Sequence, residues 1–148
     1  MYYHSNTSKR HLAQAHSDFG VLFAWVIKFY DHTVAASYRT KELQNQYFQE
    51  GKSTRQYPSI HNTKPSLAVD VYVYEKTHVD YDELQAYDFA GFVKGVAAML
   101  YNMGLIAHKI KCGNDWDSDQ DVNDTNFKDP GHFEIIPNPG ETIEYFEI

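Results

Sequence analysis

Leu67-Ala68-Val69-Asp70-Val71-Tyr72-Val73-Tyr74 alternates without a break, and that alternation decides the fold. A period of two puts Val69, Val71 and Val73 on one face of a strand and Ala68, Asp70, Tyr72 and Tyr74 on the other. The valines claim the core, so Asp70 faces a cleft. An Asp in mid-strand is disfavoured by propensity and costly unless something neutralises it. A metal ion would.

Working outward from this strand, apolar residues recur at helical spacing from Leu12 to Tyr30, which predicts one amphipathic helix near 12–30. Thr33–Ser37 fits a buried strand. Thr40 caps a helix over 41–50 with Leu43 and Tyr47 facing inward, and Gly51 suits the left-handed position that ends it. Lys52 to Pro65 is polar and broken by Pro58 and Pro65, hence a loop. Asp80-Tyr81-Asp82-Glu83 places acidic residues at the positive end of a helix over 82–103. Its apolar face reads Leu84, Phe89, Phe92, Val93, Val96, Leu100 and Met103, and Gly104 ends it. Leu105–Ile110 and His132–Ile136 read as strands, with Gly113–Asp129 a polar loop between them. Pro137, Pro139 and Gly140 lead into an edge strand or a loose tail. The expected fold is α+β: a small antiparallel sheet flanked by about three helices, with the strands near 68–74 and 132–136 as neighbours.

At 148 residues the chain fits one domain spanning 1–148. A net charge of −7 is opposite to what a phosphate-tracking surface needs, so nucleic acid is excluded as a partner. Cys112 stands alone, so no internal disulfide and no cysteine cluster can form, and any metal must sit on His and carboxylate. The first residues lack a basic segment followed by an apolar one, and no apolar run is long enough to span a bilayer. The chain is expected to be a monomer made without a signal peptide in the cytoplasm, with another agent opening the route to any substrate outside it.

His61 in the loop, Asp70 in the strand and His132 in Asp129-Pro130-Gly131-His132-Phe133-Glu134 are the parts of a catalytic zinc site: three protein ligands and one open position. Zinc lowers the pKa of a bound water to about 7, which suits amide hydrolysis. The reaction needs a base, and two carboxylates compete for the role. Asp129, three residues before His132, can reach the water without ligating the ion; Glu134, on the same strand face as His132, could instead hold that ligand in place. Arg39, at a strand-to-helix corner, is either a surface cation or an anion-binding group. His11, His16 and His32 lack a second ligand at a useful offset and read as ordinary surface or satisfied histidines, and His108 shares a face with Ile106 and Ile110. Asp115, Asp117, Asp119, Asp121 and Asp124 have the alternate spacing of a calcium loop but lack its Gly at the sixth position and Glu at the twelfth, so a solvated acidic loop is the default and Ca2+ the alternative.

Ser59-Ile60-His61, Ala68-Val69-Asp70, Trp116 and Asp129-Pro130-Gly131-His132-Phe133 together resemble the SxH, AxD, W and DxxHF signatures of the zinc peptidases that cut D-amino-acid bonds in peptidoglycan. That family includes D-alanyl-D-alanine carboxypeptidases and the L-alanyl-D-glutamate endopeptidases of phage endolysins, on a hedgehog/DD-peptidase-like fold. Tyr38-Arg39, Gln44, Tyr47-Phe48 and Gly51 are similar to a further family segment. The resemblance implies zinc on His61, Asp70 and His132, Asp129 as acid/base, Arg39 at the oxyanion, and Ser59 and Gln44 on the substrate side. It implies a peptidoglycan stem peptide as substrate and action on the cell wall after release from the host cytoplasm. Among its members a compact endolysin is the nearest pattern, with a D-alanyl-D-alanine carboxypeptidase or a non-catalytic zinc-binding domain as alternatives. One departure stands out: eight residues separate His61 from Asp70, more than the family's commonest spacing, and Lys64 replaces a Gly. A bulged loop is expected to absorb them.

Overall fold

The computed structural model describes residues 1–75, 78–80 and 82–147. Helices α1 (Asn6–Gln14), α2 (Ser17–Val26), α3 (Lys41–Gln49) and α4 (Glu83–Asn102) surround strands β1 (His32–Ala36), β2 (Ala68–Glu75), β3 (His78–Asp80), β4 (Lys109–Gly113) and β5 (Asp129–Ile136). The class is α+β, as the sequence predicts. All pairings are antiparallel: β1 and β5 flank β2, β4 lies outside β5, and β3 pairs with the far end of β2. Asp70 pairs with His132 across β2 and β5, so two candidate ligands stand side by side on one face, as cross-strand neighbours must.

On the other face Val69, Val71, Val73, Phe133 and Ile135 pack with Phe19, Phe23, Phe89 and Val93 from α2 and α4. The edge strand β1 is tied to α1, where the buried Ser8 hydroxyl accepts the Val34 N–H at 3.0 Å. Asp82 caps α4 by accepting from Gln85 N–H, and Gly51 and Gly104 take φ of +74° and +73° beyond α3 and α4. Tyr81 in the predicted helix start lies outside the described residues.

Several expectations are corrected. The helix expected over 12–30 is two helices, because Gln14, Ala15 and His16 turn their backbone groups to Ser66: Ser66 N–H donates to Gln14 O at 2.9 Å and His16 N–H to Ser66 O at 2.8 Å. The His16 ring then caps α2 through the Asp18 N–H at 3.0 Å. The strand expected at 105–110 starts at Lys109, since the Asp18 carboxylate takes the N–H groups of Ala107 and His108 at 3.2 and 3.1 Å and withdraws them from any ladder. His108 itself bridges two carboxylates, Asp18 at 2.8 Å and Glu141 at 2.8 Å. On α4, Leu84 and Met103 lie outside the core. In α3 the fully buried residue is Gln44, with Leu43 and Tyr47 half-buried.

His32 is not a satisfied histidine. Its Nδ1 meets Tyr30 O at 2.9 Å, but Nε2 is buried without a hydrogen-bond partner between Phe23 and Phe89. Burial lowers its pKa to about 4, with the Tyr30 carbonyl opposing and His4 adding to the fall. The unfolded chain protonates near 6.5, so between that pH and 4 the unfolded state binds a proton that the folded state refuses. Stability from this residue is present above pH 6.5 and lost as pH falls to 4, a loss of about 3 kcal/mol. Urea midpoints measured across this range should show the decline, and His32→Leu should flatten it.

Candidate metal centre and active site

Asp70 sits at the centre of the site. Its Oδ1 is 3.1 Å from His132 Nδ1 and its Oδ2 is 3.4 Å from His61 Nε2. His132 is fixed by the β2–β5 ladder, whereas His61 lies on a single 3-10 turn, Ile60–Asn62, in the loop before β2. Ser59 caps that turn, accepting from His61 N–H, while Asn62 Oδ1 accepts the Ser59 N–H at 2.7 Å. The long spacing between His61 and Asp70 is taken up by residues 63–67, so the loop returns the imidazole to the strand.

The remaining ring nitrogens are held by the protein. His61 Nδ1 donates to Ser37 O at 2.7 Å, which leaves Nε2 as the lone-pair nitrogen toward Asp70. His132 Nε2 lies 3.1 Å from Glu134 Oε1, which leaves Nδ1 facing the same point. The donor atoms of His61, Asp70 and His132 lie within 4.8 Å of one another. Four ligands at about 2.1 Å from a tetrahedral ion stand about 3.4 Å apart, so the set fits such an ion with a position to spare. Anchoring of the non-ligating nitrogens by carbonyl and carboxylate is the outer-shell arrangement metal sites require.

The electrostatics follow from this packing. Burial alone would raise the Asp70 pKa, but the adjoining His61 and His132 hold it well below the usual carboxylate range. Burial would lower that of His132; its hydrogen bonds to Asp70 and Glu134 outweigh this and raise it to about 9. Asp129 moves the other way, raised first by burial and then by the charge of Asp70, with His132, His61 and Arg39 opposing. Burial also acts to raise Glu134, but the hydrogen bond from His132 leaves it below the ordinary value.

Asp129 begins β5 opposite Gly113, while the next pair up the ladder is Cys112 with Phe133. This bulge takes up Pro130, Gly131 and His132, with Pro130 lacking the N–H a ladder needs. A Cβ on Gly113 would stand 2.3 Å from Asp129 O and 2.8 Å from Trp116 Cζ2, so only glycine allows this approach. Trp116 packs its ring 5.4 Å from that of His132 and donates Nε1–H to Phe127 O.

Arg39 lies over the Tyr47 ring, donates from NH1 to Gln44 Oε1 at 2.8 Å and reaches Asp70 Oδ2 from NH2 at 3.5 Å. Gln44 uses its whole amide internally. Its oxygen also accepts the Ser59 hydroxyl at 2.9 Å, and its Nε2 donates to Ser53 Oγ at 2.9 Å and Arg55 O at 2.6 Å. With Gln44 at 0% exposure and Ser59 at 6%, both brace Arg39 and the His61 turn from beneath. Asn62 was not visible as a site residue in the sequence. It is buried, and its Nδ2 donates to Arg39 O at 2.8 Å, tying the two segments together. Its position directly after His61 was the available signal.

A family model for the phage L-alanyl-D-glutamate peptidase matches residues 1–136. The chain belongs to this family. Among solved structures the peptidase superposes on the L-Ala D-Glu endopeptidase ChiX of Serratia marcescens with a TM-score of 0.67, covering 88% of this chain and 87% of that one at 19% identity, which shows a shared fold. No curated protein sequence matches it. Among the described residues of the peptidase, no helix is long and apolar enough to cross a membrane.

Among the described residues, two other groups could bring ligand atoms together. In His16, Asp18 and His108 the atoms are already in use: His16 Nδ1 accepts the Asp18 N–H, and the His108 ring lies between two carboxylates. In the acidic loop, Asp115, Asp117 and Asp119 converge, but buried Asp115 accepts the N–H groups of Asp119 and Gln120 and has Lys94 Nζ at 3.6 Å from Oδ2. Lys94 thus supplies positive charge at the head of that loop. Cys112 is no nucleophile, since burial pushes its thiol up to about 12.

Proposed function

We propose that this family member is a zinc-dependent, endolysin-type peptidoglycan peptidase that hydrolyses the L-alanyl-D-glutamate bond of the stem peptide. The observation that carries the reading is the convergence of His61 Nε2, Asp70 and His132 Nδ1 on one point, with the other nitrogen of each ring engaged elsewhere. When bound there, zinc supplies Lewis-acid activation of water and positive charge for the transition state.

The chain's own residues do the rest. Asp129 takes a proton from the attacking water as it adds to the alanyl carbonyl carbon. Asp129 then returns a proton to the departing nitrogen of D-glutamate as the C–N bond breaks. Arg39, braced by Gln44 and stacked on Tyr47, offers its guanidinium to the oxyanion. Glu134 orients His132 and Ser59 supports the His61 turn. The wall is reached after release from the cytoplasm where the chain is made.

Mass spectrometry of purified peptidoglycan after digestion tests this reading. New N-terminal D-glutamate is the expected product. Free D-alanine would assign the carboxypeptidase reaction instead, and no released fragment with zinc fully bound would leave a binding domain.

A further inference from the structure

Residues beyond the family-matched stretch 1–136 return to the site. After β5 the chain turns at Asn138–Glu141, where Asn138 Nδ2 donates to Ala107 O at 3.1 Å and the Glu141 carboxylate meets His108 Nε2 at 2.8 Å. It then crosses to the His61 turn. Tyr145 forms an antiparallel bridge with Thr63, and the Phe146 N–H donates to Asn62 O. Side chains reinforce the backbone contact. The Phe146 ring meets Tyr38 edge-on at 6.1 Å, Tyr145 meets Tyr57 at 6.4 Å, and Lys64 Nζ lies 4.9 Å over Phe146.

The turn needs such a brace. Of the three converging residues, His61 alone is outside the sheet. Apart from Asp70, the groups that fix its ring and its neighbours named above, Ser37 O, Arg39 and Ser59, come from connecting segments on either side of α3 and not from a helix or strand. A ligand must hold its position to a few tenths of an ångström to keep metal.

We propose that the C-terminal segment is a positioning strap, in which Tyr145 and Phe146 hold the Ile60–Asn62 turn so that His61 Nε2 stays in ligating position. The inference rests on the reading of His61 as a zinc ligand. The strap acts through Asn62, which accepts from Phe146 on one side and donates to Arg39 O on the other, so it steadies ligand and guanidinium together.

The test compares full-length wild type with the Tyr145→Ala/Phe146→Ala double variant, with Tyr145→Phe/Phe146→Tyr as the ring-conserving control. A further variant, Phe146→Pro, removes the donor N–H together with the ring. Zinc affinity is read against a competing chelator, and amide hydrogen exchange is followed across residues 57–66. The double variant and Phe146→Pro should bind zinc about 10–100-fold more weakly, the loss expected for an outer-shell support. Exchange should accelerate in 57–66 while α4 and β2 stay protected, and the ring-conserving variant should restore both. Zinc affinity within about twofold of wild type in both disrupting variants overturns the strap. So does exchange that accelerates equally in α4 and β2, because that would be general loss of stability. His61→Ala run beside them separates the two readings: if it keeps zinc, the ligand assignment has failed; if it loses zinc while the strap variants do not, only the strap has.

Discussion

His61→Ala, Asp70→Ala and His132→Ala are each expected to remove bound zinc and with it all measurable wall hydrolysis. Removing one of three protein donors leaves two, and no other described side chain stands in position to replace it. Asp70→Ala should be the most damaging, because it also leaves the Arg39 guanidinium, 3.5 Å away, and two imidazoles facing one another without their common anion. Zinc binding should raise the melting temperature of wild type, since an ion that binds only the folded chain stabilises it by mass action. The uptake has a pH signature. In the metal-free protein His132 holds its proton up to about 9, so zinc must displace that proton at neutral pH. Affinity should therefore fall as pH is lowered below 9, and calorimetry in buffers of different ionisation enthalpy should register proton release. Full lytic activity in excess chelator, from protein shown to be metal-free, would end the zinc mechanism.

Asp129→Asn should keep zinc yet lower kcat by about 10²–10⁴-fold, the span that general acid/base catalysis supplies. Asp129 is held at the bulge between β4 and β5, outside the group of converging donors, so metal content should not change. Glu134→Gln is the discriminating control. Its carboxylate bonds His132 Nε2, so its loss should weaken zinc by about 10–100-fold and recover turnover when zinc is in excess. The opposite pattern, with Asp129→Asn active and Glu134→Gln loaded with zinc but inert, would transfer the base to Glu134.

Much of this architecture is a local property of the sequence. The strict alternation at 68–74 placed Asp70 opposite the valines because the side-chain period of a strand is fixed by backbone geometry. Thr40 at a helix start and Gly51 and Gly104 at helix ends were readable for a similar reason: caps depend on one residue's side chain or its freedom at positive φ. The motif types around His61, Asp70, Asp129 and His132 named a chemistry before any fold was known.

What the sequence could not show depends on partners distant along the chain. One helix became two because Ser66, fifty residues downstream of His16, claimed the backbone between α1 and α2. His32 leaves Nε2 without a polar partner because Phe23 and Phe89 pack against its ring. The resemblance put Gln44 on the substrate side, and only tertiary packing brought Arg39, Ser59, Ser53 and Arg55 around its amide. The sequence by itself determined which residue types line a cleft face and which line the core, since strand and helix periods act over a few residues. The tertiary structure alone decided that three donors from a turn and two strands meet within 4.8 Å, and that Tyr145 and Phe146 pair with the residues that follow one of them. Convergence of that kind is set by strand pairing and loop closure, which no local period encodes.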